Sequence, residues 1–381
     1  MPAPEPPPES AARGPARRAD DTPAATPAPL VLHHGALGDT ILLTAMLQAL
    51  ALRWGGPCDL VAGPASAPRL LAGLGFVGEV RHLGTRKRPY LASPHQWRLV
   101  AWLRARGPSP CYVVERWRHP VAPWSRLTRF EWLLRRAGVP EDCLVTTLDR
   151  PRRAVEHAVD YQLRLAALDP PAFAGRAAAP PPQPPPRPRL AVGADEVREC
   201  RDWLEAGGWR GEPLVLFQTE ARRAKKRGRW PAERWVALAR TILADLPDAR
   251  ILLLGAPPER ARTRALARAV ADPRVRDVAG DLPLRRLLAL LTLGHSLVSL
   301  DTGPAQAAAA LGCPVAVLAG TADPRRNRPL APPGRVQVVT AYGDRPWPDS
   351  GAEWFHDHRL RAIPEAAVLA AWRRLAPQRN P

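Results

Sequence analysis

Four short stretches of the sequence hold residues that could bind phosphate or move a proton, and each follows a predicted strand. They are GALGD at 35–39, the basic segment 222–229 after Thr219, GAPPE at 255–259 and DTG at 301–303. Glycine lets the backbone approach a ligand closely, and free amides at a helix start bind phosphate oxygens. The pattern therefore indicates an anion site built from several strand-to-helix turns.

Asp39 has two possible roles at the start of the first predicted helix. An acidic side chain at a helix start can accept a backbone N–H and cap the helix. The same carboxylate could serve as a general base, which requires hydrogen-bond reach to the hydroxyl that it activates. Gly35 and Gly38 permit a tight turn here but do not form the G-x-G-x-x-G fingerprint. Local sequence favours the cap and leaves the base as the alternative.

Two other turns also have an ordinary structural interpretation. Asp301 and Thr302 are common N-cap residues, although the turn that they begin would also expose amides to a phosphate. Glu259 could accept hydrogen bonds from a ribose, or it could stabilise the first turn of a helix through the helix dipole.

The segment 222–229 concentrates positive charge. It has six basic side chains in eight positions, and Lys225 and Lys226 are two of only three lysines in the chain. We expect these lysines to bind phosphate as point charges. A solvated charged loop, or an electrostatic nucleic-acid patch, would show a similar composition.

The four stretches lie within two regions that alternate strands and helices. In the first region, strands are predicted at 29–34, 58–63 and 111–115, and helices at 40–54 and 95–107. In the second, strands are predicted at 213–218, 250–255, 296–300 and 314–320, and helices near 231–246, 258–271, 283–293 and 304–312. Such alternation predicts parallel sheets with helices on both faces, which bind ligands at the carboxyl ends of their strands.

Proline marks the predicted boundaries. The segment 180–188 has seven prolines in nine positions, and it predicts an extended linker at 176–189 between domains at 30–175 and 190–362. Residues 1–29 contain nine prolines and no apolar run, so they predict a disordered tail instead of a signal peptide. The uncharged stretch 302–322 is interrupted by glycine and proline and is not expected to span a membrane.

The composition points to anionic partners. The formal net charge is +19, and arginine supplies 52 of the 55 basic residues. Such a surface favours phosphate groups, acidic lipids or nucleic acid, but the sequence shows no zinc finger, helix-turn-helix or RNA-binding signature. The five cysteines are scattered, which is typical of free thiols in a reducing cytoplasm and predicts no metal site.

Taken in order, these stretches resemble glycosyltransferase family 9, the ADP-heptose:lipopolysaccharide heptosyltransferases. The matching residues read GALGD (35–39), KKRGRWPAERW (225–235), DTGPAQ (301–306) and GTADP (320–324). The resemblance spans about residues 30–330. It implies an α/β protein of GT-B fold, in which two Rossmann-like doubly wound domains face each other across a cleft. It also implies that a C-terminal helix within 363–381 crosses back to the first domain.

The resemblance assigns roles to individual residues. Asp39 would be the general base of an inverting transfer that needs no metal or other cofactor, and Gly35 and Gly38 would form the acceptor-side loop. Glu259 would bind the ribose, and Leu282 would pack against the base. The residues expected to bind the nucleotide sugar are Thr219, Lys225, Lys226, Glu259, Leu282, Asp301, Thr302, Gly303 and Gln306.

Three departures from the family pattern affect the donor site. Gln306 occupies the position of a usual histidine, Gly228 occupies that of a usual lysine, and Pro257 and Pro258 stiffen the turn before Glu259. These departures leave open a nucleotide-sugar-binding homologue without turnover. The charge alone leaves open a nucleic-acid-binding protein.

The resemblance thus implies an enzyme that moves a sugar, heptose from ADP-heptose above all, to a cell-envelope glycolipid such as the lipopolysaccharide inner core. We expect a cytoplasmic protein without a specific nucleic-acid partner. Its basic surface could bring it to the anionic inner face of the cytoplasmic membrane.

Replacement of Lys225 and Lys226 by alanine should weaken the binding of nucleoside diphosphates, because two of the cations expected at the phosphates are removed. Isothermal titration calorimetry with ADP measures the change. If the variant binds ADP as tightly as the wild type, the neighbouring arginines and not the lysines bind the phosphates.

Overall fold

The fold is known from a computed structural model of the chain. The structure describes residues 27–84, 93–114, 129–147, 150–220, 229–320, 323–343 and 360–375. These residues form two parallel β-sheets that are flanked by helices.

The first sheet contains five strands. They are β1 (Leu30–His33), β2 (Cys58–Ala62), β3 (Val77–His82), β4 (Cys111–Val114) and β5 (Leu144–Thr146). The helices of this region are α1 (Leu37–Trp54), α2 (Ala67–Leu70), α3 (Pro94–Arg106), α4 (Arg129–Ala137) and α5 (Ala158–Ala166). Short 3-10 turns lie at Glu141–Cys143 and Pro171–Phe173.

The second sheet contains six strands. They are β6 (Leu214–Gln218), β7 (Arg250–Leu254), β8 (Val275–Asp277), β9 (Ser296–Leu300), β10 (Val315–Leu318) and β11 (Val336–Val339). Its helices are α6 (Ala194–Ala206), α7 (Ala232–Asp245), α8 (Arg260–Val270), α9 (Leu284–Leu293), α10 (Gly303–Leu311), α11 (Pro324–Asn327) and α12 (Glu365–Arg373). Further 3-10 turns lie at Pro257–Glu259 and Leu360–Ala362.

The order of the strands identifies both sheets as doubly wound. The first runs β3-β2-β1-β4-β5 and the second runs β11-β10-β9-β6-β7-β8. In each sheet the chain begins at a central strand, builds outward to one side, and then returns to build the other. The crevice at this reversal, at the carboxyl ends of the strands, is where such sheets bind ligands. It lies between β1 and β4 in the first sheet, and between β6 and β9 in the second.

Alternate residues of the strands face different helical layers. Val31 packs in the core cluster that includes α1, whereas Leu30 and Leu32 pack against the buried residues of α3 and α4. Helix α1 is buried on most of its circumference because it lies between the first sheet, α5 and the second region's α10. One apolar cluster therefore continues from the first sheet into the second.

Each predicted strand and helix of the two regions is present, with its ends shifted by a few residues. Residues 174–193, which include the predicted linker, contain no helix or strand. Within this segment the amide of Arg189 donates to Thr44 Oγ1 at 2.9 Å, and the amide of Ala179 donates to the carbonyl of Arg53 at 3.1 Å. The segment thus lies along α1. The proposed domain boundaries themselves stay predictions, and residues 1–26 lie outside the described part.

The expected return of the C-terminal helix to the first domain is wrong for the residues that the structure describes. Helix α12 packs on α7, β10 and β11, all in the second region. Its Trp372 is buried and donates from Nε1 to Ser296 Oγ of β9 at 2.9 Å. An amphipathic helix buries its apolar side on the nearest matching surface, and here that surface belongs to the second sheet.

Two further properties bear on the sequence expectations. All five cysteines are buried and free. No helix in the described ranges is both long enough and apolar enough to cross a membrane.

Replacement of Trp372 by alanine should lower the free energy of unfolding by about 3–5 kcal/mol, as is usual when a buried tryptophan is truncated. Urea denaturation followed by circular dichroism measures the loss. The adjacent Arg373→Ala is the matched control, since Arg373 forms an exposed ion pair with Asp245 and such pairs contribute little. Equal losses in the two variants would contradict the packing of α12 on the second sheet.

Candidate active site

Three of the predicted site residues, Asp39, Thr219 and Thr302, lie at the switch points of the two sheets. A three-residue turn joins β1 to α1, of which Asp39 is the third residue, and Thr302 follows β9. Thr219 directly follows β6 and is buried. The parallel registers of β1 with β4 and of β6 with β9 bring these turns to the carboxyl edges of their sheets.

The turn from β1 into α1 requires glycine at position 35. A Cβ placed on Gly35 would lie 2.2 Å from His33 Nε2 and 2.4 Å from the Cβ of Asp39. The imidazole of His33 is itself buried, with Nδ1 3.3 Å from the carbonyl oxygen of Val114 at the end of β4. The side chains of His33 and Asp39 therefore occupy the space that any larger residue at position 35 would need.

Asp39 caps helix α1. Its Oδ2 accepts the amide of Ala36 at 3.0 Å, and the side chain is half-buried. The capping role expected from local sequence is thus present in the structure. It does not exclude chemistry, because an ionised carboxylate has acceptor positions on both oxygens. The role of Asp39 as a base stays a prediction.

The starts of α1 and α10 contact each other, although Asp39 and Gly303 are 264 positions apart in the sequence. A Cβ on Gly38 would lie 3.2 Å from Gln306 Cγ and 3.6 Å from the Cα of Gly303. A Cβ on Gly303 would lie 2.6 Å from Leu37 Cδ2. Two glycines thus allow the acceptor-side turn and the predicted phosphate-binding turn to meet.

The turn after β9 leaves backbone amides at the helix start. Thr302 is the extended N-cap residue of α10, but its hydroxyl makes no capping bond. Instead it donates to the carbonyl of Leu300 at 3.2 Å and lies 3.3 Å from Ser299 Oγ. Amides in the first turn of a helix have no partner within the helix. Those of Gly303 and Ala305 are therefore the groups of this turn that are suited to an anion.

Gln306 makes a contact that the sequence did not predict. Its Nε2 donates to the carbonyl of Asn327 at 2.7 Å, and the residue is buried. Asn327 ends helix α11, which begins after Asp323 of the GTADP motif; Asp323 accepts the amide of Arg325 at 2.9 Å as a cap. Gln306 therefore joins α10 to the last turn of α11. The contact between Gln306 and donor stays a prediction.

The other predicted donor residues are separated along the edge of the second sheet. Glu259 Oε2 accepts the amide of Ala256 at 2.8 Å, the same contact that Asp39 makes with Ala36. Leu282 is partly buried against the core. Lys225 and Lys226 lie outside the described residues. Within the described ranges, no group of three or more His, Cys, Asp or Glu side chains could hold a metal ion.

The sequence pattern of glycosyltransferase family 9 (heptosyltransferase) matches residues 145–346, more than half of the chain. The chain belongs to this family. It is therefore a glycosyltransferase, and the assignment favours an enzyme over the two alternatives left open above. No curated protein matches the sequence.

Solved structures of family members share the GT-B fold of this glycosyltransferase. E. coli ADP-heptose lps heptosyltransferase II superposes with a TM-score of 0.67 at 19% identity, over 91% of this chain and 97% of that one. A family 9 glycosyl transferase from Veillonella parvula reaches 0.71 at 16% identity, over 91% and 96%. E. coli heptosyltransferase WaaC with ADP reaches 0.55 at 20% identity, over 81% and 92%.

The sequence of this glycosyltransferase did not reveal a buried carboxylate at the end of β6, that of Glu220. Glu220 accepts hydrogen bonds from Arg229 Nε at 3.1 Å and forms an ion pair with Arg262 Nε at 2.9 Å. Its own carbonyl accepts Gln218 Nε2 at 2.8 Å. One carboxylate between two guanidinium groups leaves net positive charge next to Thr219, one of the predicted donor residues. The sequence feature that could have indicated this carboxylate is the single acid, Glu220, between the end of the strand and the basic segment 222–229.

A second missed feature connects the segment before α5 with α11. Arg152 donates to the carbonyl of Arg326 and lies 3.4 Å from Asn327 Oδ1. His157 Nδ1 accepts the amide of Val159 at 3.2 Å, so its Nε2 carries the proton and donates to the carbonyl of Arg328 at 3.0 Å. Cationic and N–H donors thus bind the carbonyls at the end of α11, next to the carbonyl that Gln306 binds.

This contact makes the stability of the protein sensitive to acid. Burial lowers the pKa of His157 below its ordinary value of 6.5. Below that pH the unfolded chain binds more protons than the folded chain, so stability is complete above it and falls as the pH decreases. Burial also lowers the pKa values of His82 and His295, so they contribute to the same loss.

The variant His157→Gln should lose less thermal stability than the wild type between neutral pH and about pH 5, because glutamine can donate to Arg328 without taking up a proton. Differential scanning fluorimetry at a series of pH values measures the difference. His82 and His295 should keep part of the pH dependence. An unchanged dependence in the variant would show that His157 does not contribute.

Proposed function

We propose that this glycosyltransferase transfers a heptose from ADP-heptose to a cell-envelope glycolipid such as the lipopolysaccharide inner core. The transfer inverts the anomeric configuration and uses no metal ion. The acceptor lies on the side of the first sheet and the nucleotide sugar on the side of the second.

The contact between the starts of α1 and α10 is the observation that supports this proposal. The carboxylate of Asp39 lies one residue from Gly38, and Gly38 lies against Gly303 and Gln306. In the proposed complex, a diphosphate binds the amides of Gly303 and Ala305 with its sugar end toward Asp39. A displacement at the anomeric carbon requires such a carboxylate beside the acceptor hydroxyl.

In the proposed step, Asp39 takes the proton from an acceptor hydroxyl while its oxygen attacks the anomeric carbon. The new glycosidic C–O bond forms as the bond between that carbon and the phosphate oxygen breaks. ADP leaves with the electron pair, and the protonated Asp39 later releases its proton to water. Donors that are already in position for a developing negative charge are the main electrostatic source of rate acceleration. Here they are the amides at the start of α10 and the cations near β6.

Glu259, Leu282 and the lysines of 222–229 complete the proposed donor site. Glu259 accepts hydrogen bonds from the ribose hydroxyls, Leu282 contacts the adenine, and Lys225 and Lys226 neutralise the diphosphate. The solved structures of the E. coli heptosyltransferase WaaC contain ADP or ADP-2-deoxy-2-fluoro heptose. These ligands support the same donor class for this chain.

The charge of the protein supports an anionic acceptor. Its formal net charge is +19, and such a surface attracts phosphorylated glycolipids and the anionic membrane that contains them. We propose that the enzyme works in the cytoplasm, as a peripheral protein at the inner face of the cytoplasmic membrane.

The variant Asp39→Asn should bind donor normally but lower kcat by about 10²–10⁴-fold, the usual contribution of a general base. Asparagine can still accept the amide of Ala36, so the cap and the fold persist. Turnover is measured as the rate at which ADP is released during transfer from ADP-heptose to a lipopolysaccharide acceptor. Undiminished turnover would leave Asp39 as a cap only and would overturn the proposed step.

Glu196→Gln is the matched control for Asp39→Asn. Glu196 Oε2 accepts the amide of Gly193 at 2.8 Å, the same capping geometry at the start of α6, and its substitution should leave kcat unchanged. A chelator should also leave the rate of the wild type unchanged. The anomeric configuration of the product, determined by NMR, tests inversion.

A further inference from the structure

The outer helical layer of the first region presents tryptophan and arginine to solvent. Helices α3 and α4 pack against each other on the face of the sheet opposite α1. Trp97, in the first turn of α3, is 40% exposed, which is unusual for so large an apolar side chain. The guanidinium of Arg136 on α4 lies 5.3 Å from the centroid of its ring. A basic group thus flanks an exposed indole.

A second indole on α3, that of the half-buried Trp102, also lies beside guanidinium groups. The guanidinium groups of Arg81 and Arg106 lie 5.6 Å and 5.8 Å from the ring centroid of Trp102. The indole N–H of Trp102 donates to Glu79, which also forms an ion pair with Arg81. We call the surface formed by Arg81, Trp97, Arg98, Trp102, Arg104, Arg135 and Arg136 the α3–α4 surface.

Positive charge on the α3–α4 surface exceeds negative charge. Helix α3 has three arginines and no acidic residue. Arg98, Arg104 and Arg136 are exposed, and none of the three forms an ion pair with a side chain that the structure describes. Helices α3 and α4 together hold six arginines and one acid, Glu131, and the nearby acids Glu79 and Glu141 pair with arginines. The surface therefore has a net positive charge that its own residues do not neutralise.

The α3–α4 surface reaches the edge of the sheet that carries Asp39. His95, in the first turn of α3, has Nε2 2.5 Å from the carbonyl oxygen of His82, the last residue of β3. His34, directly after β1, packs edge-on against Phe130 of α4, with 6.2 Å between ring centroids. Both helices thus begin at the carboxyl edge of the first sheet, on the side proposed for the acceptor.

We propose that the α3–α4 surface binds an anionic lipid bilayer and holds Asp39 next to the membrane in which a glycolipid acceptor is anchored. Tryptophan prefers the membrane–water interface, where its apolar ring and its N–H are both accommodated. Each arginine near an anionic leaflet adds attraction that decays with ionic strength. Among the described residues of this surface, Trp97 is the one exposed large apolar side chain, and an isolated indole fits a headgroup layer better than a stable protein interface. The inference that the surface brings Asp39 to a membrane-anchored acceptor rests on the proposed function.

Flotation of the full chain with lipid vesicles tests the surface directly. The wild type should float with vesicles that contain phosphatidylglycerol, and not with vesicles of pure phosphatidylcholine. The double variant Arg98→Glu/Arg136→Glu should weaken binding by about tenfold or more, since each basic group near the leaflet contributes on the order of a fivefold gain. Trp97→Ser should also weaken binding while the salt dependence stays that of the wild type.

Arg201→Glu/Arg268→Glu is the matched control, because it changes the net charge equally at exposed positions of α6 and α8. It should retain most of the binding. An equal loss of vesicle binding in the two double variants would show that binding depends only on the net charge of the protein, and it would overturn the proposal. Equal binding to neutral vesicles would also overturn it. So would binding of random duplex DNA with the same dependence on Arg98 and Arg136, which would assign the surface to nucleic acid.

The vesicle experiment needs no donor and no turnover, so its outcome is independent of the proposed reaction. Sugar transfer by a wild type that does not bind vesicles would refute the surface and leave the proposed function. Vesicle binding by a wild type that transfers no sugar would refute the proposed function and leave the surface. A surface variant that loses vesicle binding but still modifies a delipidated acceptor would support both proposals together.

Discussion

The close approach of two helix starts is the constraint on which the rest of the site depends. Helix α1 begins in the first region and α10 in the second, and they meet where Gly38 and Gly303 have no Cβ. A Cβ at position 303 would displace the end of the Leu37 side chain, and one at position 38 would press on Gln306. Added volume at this contact would therefore require those side chains to shift. The two glycines let the turn that carries the carboxylate and the turn suited to a phosphate lie close together.

The hydrogen bond of Asp39 shows why local geometry does not by itself identify a catalytic residue. Asp39, Glu196 and Glu259 each accept the backbone amide three residues earlier. All three stabilise a helix start in the same way, through an amide that has no partner within the helix. They differ in their surroundings: only Asp39 lies beside the start of α10. Its position, and not its hydrogen bond, distinguishes it as a candidate base.

Arginine is used in two ways in this protein. At the edge of the second sheet, Arg229 and Arg262 pair with the buried Glu220, and their geometry is held by that carboxylate. On the α3–α4 surface, Arg98 and Arg136 are exposed to solvent. Paired arginines position neighbouring groups, whereas exposed arginines attract ligands over a distance that salt can screen. The net charge calculated from the sequence counts paired and exposed arginines alike, so it does not show which arginines have which role.

The sequence by itself determined the central strands, the helices between them and the turns at their carboxyl ends, because these depend on local apolar runs, glycine and proline. It did not predict the four edge strands β3, β5, β8 and β11, which are short or partly exposed, nor the helices α4, α5 and α6, nor the sheet on which α12 packs. Only the tertiary structure decided that Gln306 binds Asn327, that Glu220 lies between Arg229 and Arg262, and that α1 meets α10. The local sequence around each of these residues does not predict the contact that it makes. Such contacts arise when buried surfaces match in shape, and that matching is a property of the packed chain.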